Sequence, residues 1–238
     1  MTRTLVSVVV PCHNEAENAP VLFGRIRDVF ASLPGHDFEC LFVNDGSTDG
    51  TREALDALAA AHPEMRPVHL ARNFGQSAAL LAGMRRTRGE YVLTLDGDLQ
   101  NDPADFPKFL ELLKEHDCVC GYRANRNDSW VRKLSSRVGN TARNAVLHDG
   151  IRDSGCGSKG FQRRCVGHLP PFNGMHRFMA VFMRRAGFSI VECPVTHHPR
   201  RFGVSKYGIN NRLWRGLYDL IGVAWLRKRL VVPEVEGD

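Results

Sequence analysis

An apolar run in this sequence ends on two carboxylates that are separated by one glycine. Residues 91–95 read YVLTL, and Asp96, Gly97, Asp98 and, two positions later, Gln100 follow. Two carboxylates at a strand end can both reach one divalent ion, with the amide oxygen of Gln100 as a third ligand, while Gly97 leaves room for a ligand to approach the backbone. In isolation such a pair also suits an ordinary turn. Its position after an apolar strand favours a site for Mg²⁺ or Mn²⁺ with a nucleotide diphosphate.

A second polar cluster, NDGSTDG at residues 44–50, follows another apolar run. It suits a turn in which Ser47 or Thr48 caps the next helix. The same arrangement places Asp45 at the strand end, where its carboxylate could accept a hydrogen bond from a ribose hydroxyl or a base N–H. The two interpretations are compatible, so Asp45 is a candidate contact of a nucleotide.

These clusters can act together only if their strands end at a common edge of a sheet. Short β-type runs alternate with helix-type segments through the first 120 residues, which predicts an α/β fold with crossover helices. The expected strands are residues 5–10, 38–43, 67–70, 91–95 and 117–121, and the expected helices are 15–31, 50–61, 75–87 and 104–115. Ligands of a wound α/β sheet bind at the carboxyl ends of its strands. The polar segments 11–15, 44–50 and 96–102 should therefore meet at this edge.

The alternation of strands and helices loosens after residue 121. Helices are expected over 130–147, near 174–186 and over 211–230, and a strand is expected over 189–195. The last helix has an apolar side and a basic end, so we expect a catalytic domain over 1–210 and an amphipathic basic tail over 211–238. Such a helix could lie in a membrane interface or pack on the catalytic domain.

Charge is unevenly distributed along the chain. Residues 1–119 carry 11 Lys/Arg and 18 Asp/Glu, whereas residues 120–238 carry 21 Lys/Arg and 8 Asp/Glu. The basic half is either a solvated basic face or, as favoured here, a surface for an anionic partner, which could be phosphate groups, an acidic membrane surface or nucleic acid. A protein that only binds nucleic acid would leave the DGDLQ site without a purpose, so this non-enzyme function is disfavoured.

Cysteine usage and hydropathy bear on the compartment. The seven cysteines are odd in number and form no CxxC pair, which disfavours a disulfide framework or a zinc ribbon and favours a reducing cytoplasm. No stretch has 18 uninterrupted apolar residues, so no transmembrane helix is expected.

The segment GCGSKG at 155–160 satisfies GxGxxG but follows polar residues rather than a clear buried strand, which disfavours a dinucleotide site.

Five ordered motifs resemble the inverting family 2 glycosyltransferases, and within them the polyprenyl-phosphate branch that includes the dolichol-phosphate mannose synthases. The motifs are VVVPCHNEAEN (8–18), VNDGSTDG (43–50), NFGQSAALLAG (73–83), LDGDLQ (95–100) and GYR (121–123). The resemblance covers about residues 5 to 230. It implies a GT-A fold, which is a Rossmann-like wound mixed sheet flanked by helices, here with amphipathic helices at the C-terminus. It also implies transfer of a sugar from GDP-mannose or a UDP-hexose to undecaprenyl or dolichyl phosphate at the cytoplasmic membrane face.

The resemblance implies roles for individual residues. The catalytic set is Asp96, Asp98 and Arg123, and the metal ligands are Asp96, Asp98 and Gln100. The nucleotide-sugar contacts are Pro11, His13, Glu15, Asp45, Asp96, Gly97, Asp98, Arg200 and Lys206. The acceptor-phosphate contacts are Arg123, Arg132 and Ser136. His13 departs from the aromatic residue common in the mannose synthases, which leaves the base open, and Asp153 is expected near the sugar.

The acceptor determines whether the reaction needs a base. A phosphate monoester with a second pKa of about 6 is largely ionised at neutral pH, whereas a hydroxyl must lose a proton. An alternative function is transfer to a soluble or cell-envelope hydroxyl, but the segment GMHRF at 174–178 offers no carboxylate as a base. The arginines at 123, 132 and 200 would offset repulsion between the phosphates of donor and acceptor. A separate integral membrane protein is considered as a further partner.

Overall fold

One sheet with helices on both faces forms the described part of the molecule. The computed structural model describes residues 3–124, 139–141, 143–199 and 209–231. Within these residues the strands are β1 (Thr4–Cys12), β2 (His36–Asn44), β3 (Val68–His69), β4 (Tyr91–Thr94), β5 (Cys118–Arg123), β6 (Lys159–Gln162) and β7 (Ile190–Val195). The helices are α1 (Asn18–Ala31), α2 (Thr51–Ala61), α3 (Gln76–Met84), α4 (Phe106–Leu112), α5 (Met179–Arg185) and α6 (Ile209–Arg229).

The strand order is β3-β2-β1-β4-β6-β5-β7. All neighbouring pairs are parallel except those of β6, which runs antiparallel to both β4 and β5. The longest register joins β1 to β2, from Thr4 opposite His36 to Cys12 opposite Asn44. The predicted wound mixed α/β sheet is therefore confirmed.

Both faces of the central strands are covered. Val8 and Val10 of β1 belong to one apolar cluster with Phe23 of α1 and Phe106 of α4. Val9, between them, belongs to a second cluster on the opposite face. Because successive side chains of a strand point to opposite faces, a strand covered on both sides must be apolar at every position, as the run at 8–10 is.

The main error of the sequence prediction is β6, because the pattern of residues 153–161 predicts no strand. Lys159 and Gly160 are not typical strand residues, and the element is four residues long. Its pairing is tertiary: Thr94 lies opposite Lys159 and Tyr91 lies opposite Gln162. Boundaries elsewhere shift modestly, since the helix expected over 104–115 consists of a 3₁₀ turn at Pro103–Asp105 followed by α4.

Helix α6 packs on the domain through one side and exposes an apolar surface on another. Leu220 and Val223 are buried in the cluster that contains α5. Tyr218, Ile221 and Trp225 are 79%, 64% and 63% exposed. Among the described residues, no helix has the length and apolar character needed to cross a bilayer. Of the two expectations for this helix, packing on the domain is thus observed, and an apolar stripe remains uncovered.

Two further contacts fasten this helix. Arg177, in the 3₁₀ turn Met175–Arg177, forms an ion pair with Asp219 of α6. Arg227 donates from Nη1 to the carbonyl oxygen of Leu147 at 2.6 Å. The C-terminal helix is therefore tied to segments that lie on either side of β6 in the sequence.

A buried carboxylate fixes the point at which β4 begins. Glu39 of β2 accepts hydrogen bonds from Ser7 Oγ at 2.6 Å and from the backbone N–H of Arg88 at 2.7 Å. The guanidinium groups of Arg66 and Arg88 also donate to it. Burial acts to raise the pKa of Glu39, but these hydrogen bonds outweigh it and place the pKa below its ordinary value. Glu39 thus joins the turn before β4 to β1 and β2.

Replacing Glu39 by glutamine should lower the free energy of unfolding by about 2 kcal/mol at neutral pH, because a buried, hydrogen-bonded charge is lost while both arginines stay partly solvated. The depressed pKa makes this contribution complete above the unfolded-state carboxyl pKa, and it is lost as the pH falls through the folded-state pKa. The difference between variant and parent should therefore shrink in acid, as measured by urea unfolding across a pH series.

Glu111→Gln is the matched control, because Glu111 is 73% exposed and pairs with Lys114 on the surface. Its loss should change the free energy of unfolding by less than about 0.5 kcal/mol. Equal losses in the two variants would contradict the role assigned to Glu39.

Candidate active site

The predicted polar clusters meet at the carboxyl edge of the sheet. The segments after β1 and β2 are joined by hydrogen bonds from Asn14 N to Ser47 Oγ at 3.0 Å and from Glu15 N to Thr51 Oγ1 at 2.8 Å. The segment after β4 lies against them, since a Cβ added to Gly97 would be 3.1 Å from the carbonyl oxygen of Pro11. One edge therefore brings together all three clusters.

Asp45 holds the loop that leads into α3. Its carboxylate accepts hydrogen bonds from the backbone N–H groups of Phe74 at 2.7 Å and Gly75 at 2.9 Å. His13 lies beside it, with Nδ1 2.9 Å from the carbonyl oxygen of Asp45 and 3.0 Å from Nδ2 of Asn73. The structure thus assigns Asp45 a positioning role that the sequence did not reveal, and its contact with a nucleotide stays a prediction.

Asp96 and Asp98 follow β4, where the chain turns. Asp96 Oδ1 accepts from Nε2 of Gln76 at 2.7 Å, and Asp98 Oδ1 accepts from the backbone N–H of Gln100 at 3.2 Å. Leu99 has φ of 62°, in the left-handed region, and its side chain is buried. This turn ends the alternation of β4, so Asp98 and Gln100 remain partly exposed on either side of a buried leucine.

The surroundings of Asp96 disfavour its charged form. Burial and the nearby Asp98 raise its pKa to about 6, against the opposing effects of Lys159, Arg123 and Gln76. A bound cation would remove this penalty, so the donor set fits a divalent ion. In the parts of the chain that the structure describes, no group of three or more His, Cys, Asp or Glu side chains could hold a metal. An ion held by Asp96, Asp98 and Gln100 would keep coordination positions for water and for substrate phosphate oxygens.

The absence of a side chain at residue 157 makes the position of Asp96 possible. A Cβ added to Gly157 would lie 2.2 Å from Oδ2 of Asp96. The carbonyl oxygen of Gly157 accepts a hydrogen bond from Thr94 Oγ1 of β4 at 2.8 Å. The segment that enters β6 therefore packs directly on the acidic turn, a contact that the sequence did not predict.

Arg123 is oriented by a carboxylate. Its Nε and Nη2 atoms donate to the two oxygens of Asp153 at 2.7 and 2.9 Å, and both side chains are largely buried. Such a two-pronged ion pair fixes the plane of the guanidinium group. The predicted site residues Arg132, Ser136, Arg200 and Lys206 lie outside the described residues, so their roles stay predictions.

Three residues that sequence reasoning missed, or left without a role, line a cavity beside Asp96. The cavity has a volume of about 90 Å³ and is lined in part by Gln76, Lys159 and His176. His176 Nδ1 lies 2.7 Å from Ser77 Oγ, which accepts from the N–H of Gly174. Burial, then Lys159 and Arg177, lower the pKa of His176 to about 3, so the ring is neutral at pH 7. The only sequence signals were a polar residue at the start of a helix and a lysine in a glycine-rich segment.

The chain is similar to known proteins over most of its length. Residues 7–169 match the family model described as Glycosyl transferase family 2. The chain belongs to this family. The resemblance found in the five sequence motifs is therefore confirmed, and the protein is a glycosyltransferase by membership of that family.

Two curated relatives and one solved structure show the range of similar proteins. A dodecaprenyl-phosphate galacturonate synthase of Rhizobium johnstonii is 37% identical over 234 residues, covering 96% of this chain and 69% of that protein. An undecaprenyl-phosphate 4-deoxy-4-formamido-L-arabinose transferase of Aeromonas hydrophila is 34% identical over 219 residues, covering 91% and 67%. A glucosyl-3-phosphoglycerate synthase of Mycobacterium tuberculosis, solved with Mn²⁺, UDP-glucose and phosphoglyceric acid, has a TM-score of 0.67 at 19% identity, covering 98% and 82%. The predicted GT-A fold is confirmed.

Alanine at position 157 should displace the Asp96 carboxylate, because the added Cβ would overlap it. A displacement of about 1 Å in a catalytic site can lower the reaction rate by up to about a hundredfold. We expect the affinity for Mn²⁺, measured by calorimetry with UDP or GDP present, to fall about tenfold. Gly155→Ala is the control, since its added Cβ would be 3.5 Å from Arg123 Nη2, an ordinary contact. Equal Mn²⁺ affinity of the two variants would contradict the close packing of Gly157 on Asp96.

Proposed function

We propose that this glycosyltransferase moves a sugar from a nucleotide diphosphate to a polyprenyl phosphate, with inversion at the anomeric carbon. The observation that carries the proposal is the convergence of Asp96, Asp98 and Gln100 with the ends of β1 and β2 at one edge. Both relatives are named for a polyprenyl phosphate together with a sugar. These names differ in the sugar, so the sugar itself is open.

The donor end of the site consists of residues that bind or orient charge. Asp96, Asp98 and Gln100 would hold Mg²⁺ or Mn²⁺, and when bound the ion neutralises charge on the departing diphosphate. Arg123, held in plane by Asp153, adds a positive charge close to the carboxylates. Pro11, His13, Glu15, Asp45 and Gly97 form the adjoining edge, and Arg200 and Lys206 are proposed to contact the diphosphate.

The acceptor end does not require a protein base. The phosphate of a polyprenyl phosphate is largely ionised at neutral pH, and its oxygen can attack the anomeric carbon once Arg123, Arg132 and Ser136 position it. Transfer to a hydroxyl would need a base near pH 7. His176 is poorly suited to that role because its pKa of about 3 leaves the ring a weak proton acceptor. His176 therefore gives no support to a hydroxyl acceptor, and Asp96, whose pKa is raised to about 6, is assigned here to the metal ion rather than to a proton transfer.

The exposed surface of α6 supports action at a membrane. Tyr218, Ile221 and Trp225 follow helical spacing on one face, and the helix ends with Arg227, Lys228 and Arg229. Aromatic and aliphatic side chains beside basic residues are typical of helices that lie in a bilayer interface, with the basic groups near anionic headgroups. We infer a peripheral location on the cytoplasmic face, where a separate integral membrane partner could join it.

The proposed reaction is tested by incubating the protein with Mg²⁺, undecaprenyl phosphate and labelled UDP- or GDP-sugars. Transfer of label to the solvent-extractable lipid is expected. Asp98→Asn should reduce this transfer at least a hundredfold, about the loss seen when a key electrostatic contact of a transition state is removed. Asp28→Asn, on the exposed side of α1, is the control and should retain the parent rate. A parent rate in Asp98→Asn, or label that never enters lipid with any donor, would overturn the proposed function.

Membrane docking is tested by the double substitution Ile221→Glu and Trp225→Glu. Both side chains are more than half exposed, so the fold should be retained while flotation with phosphatidylglycerol liposomes falls at least about fivefold. Val21→Glu places the same charge at a 42% exposed apolar position on α1 and should leave flotation unchanged. Deletion of the helix is a poorer test because it would uncover the core around Leu220 and Val223. Equal flotation of the double variant and the parent would exclude this surface.

A further inference from the structure

Lys159 places a buried positive charge at the wall of the cavity beside Asp96. It is the first residue of β6, it is 6% exposed, and it lies opposite Thr94 in the sheet. Its ammonium group donates a hydrogen bond to the carbonyl oxygen of Cys156. Within the described ranges, no carboxylate forms an ion pair with it at 4.0 Å or less. A buried ammonium group is normally paired, so this one is suited to an anion that enters the cavity.

The groups around Lys159 do not supply that anion. Asp96 also lines the cavity and interacts with Lys159 electrostatically, but it lies beyond ion-pair distance and is the proposed ligand of a cation. His176 is neutral, and burial raises the pKa of Cys120 to about 11 and also raises that of Cys156, so these thiols are uncharged at pH 7. An ammonium group has three N–H donors, and the carbonyl of Cys156 accounts for one of them. Two donors remain for a ligand.

We propose that Lys159 binds a carboxylate on the donor sugar, so that the preferred donor is a nucleotide-linked hexuronic acid rather than a neutral hexose. This inference depends on the proposed function, because it assumes that the sugar of the donor occupies the cavity.

The size and lining of the cavity favour the sugar over the diphosphate as the source of the anion. Its volume of about 90 Å³ is well below the roughly 300–1,000 Å³ of a complete small-molecule site, so it suits one end of a sugar. The diphosphate would bind outside it, with the ion held by Asp96 and Asp98. Leu80 and Leu95 contribute apolar walls, and such surroundings strengthen an ammonium–carboxylate contact. The hydroxyls of a neutral sugar could accept hydrogen bonds but would bring no negative charge to the ammonium group.

His176 is prepared to support the same carboxylate. Ser77 Oγ accepts the N–H of Gly174, and its own hydrogen is available for Nδ1 of His176. Assigned from this network, the ring proton is on Nε2 of a residue that lines the cavity. Together, Lys159 and His176 provide donors of the kind that a carboxylate requires.

The test compares matched donors that differ only at the exocyclic carbon. The pairs are UDP-glucose with UDP-glucuronic acid, UDP-galactose with UDP-galacturonic acid, and GDP-mannose with GDP-mannuronic acid, each titrated by calorimetry with Mn²⁺ present. The intact protein should bind the acid of at least one pair about tenfold or more tightly than its neutral partner, as expected for a charge-assisted hydrogen bond. Lys159→Met should reduce this preference to less than about twofold, and its loss of affinity for the acid should be several times larger than any loss of affinity for UDP and GDP alone.

Two controls keep the result interpretable. Lys114→Met removes an exposed lysine and should preserve the preference for the acid. Lys159→Gln keeps a donor for the Cys156 carbonyl while removing the charge, and it replaces the methionine variant if that protein does not fold. The ratio of the two affinities is taken within each protein, so a general loss of stability does not imitate the expected effect.

Each remaining outcome has a definite meaning. Equal affinities within all three pairs, or a preference for the neutral sugars, would overturn the inference while the proposed function stands. A loss of UDP and GDP affinity as large as the loss of acid affinity would assign Lys159 to the diphosphate and would also overturn it. Failure to bind any nucleotide or nucleotide sugar would instead overturn the proposed function.

Discussion

The burial of the Asp96 carboxylate next to Asp98, just after β4, is the constraint on which the rest of the site depends. Burial and Asp98 together raise the pKa of Asp96, and the opposing groups come from three separate segments: Gln76 from α3, Arg123 from β5 and Lys159 from β6. Each of these segments must be placed to within a few ångströms for the charges to balance. At this edge of the sheet, Lys159, Arg123 and Gln76 therefore partly offset the cost of a charged Asp96.

The antiparallel strand β6 makes this compensation possible. It lies between β4 and β5, and its entry brings Gly157 against Asp96 and Lys159 opposite Thr94. The same entry carries Asp153, which orients Arg123 on the neighbouring strand. Without this insertion, β4 and β5 would be neighbours in a parallel sheet. No segment between them would then carry Lys159 and Asp153 to the site. This four-residue strand thus brings side chains from the second half of the chain to the acidic turn in the first half.

The sequence was sufficient for elements whose signals are local. The apolar runs of β1, β2 and β4, the helices between them and the polar residues after each strand predicted the sheet and the common edge correctly. The contacts of β6 could not be predicted in this way, because Lys159 and Gly160 have weak strand propensity and their placement is decided by pairing with distant residues. The contact between Ser77 and His176 joins residues 99 positions apart, and nothing in either local pattern indicates it. Asp45 was recognised as a strand-end acceptor, but its backbone partners at 74 and 75 depend on the path of a loop.

The 3₁₀ turn Met175–Arg177 lies between the cavity beside Asp96 and the C-terminal helix. His176 lines the cavity beside Asp96, while the adjacent Arg177 is paired with Asp219 on the C-terminal helix. This ion pair is therefore one of the contacts through which a shift of α6 relative to the domain would reach the residue next to His176. Binding of α6 to a membrane and the shape of the cavity beside Asp96 are thus linked through two adjacent residues, Arg177 and His176.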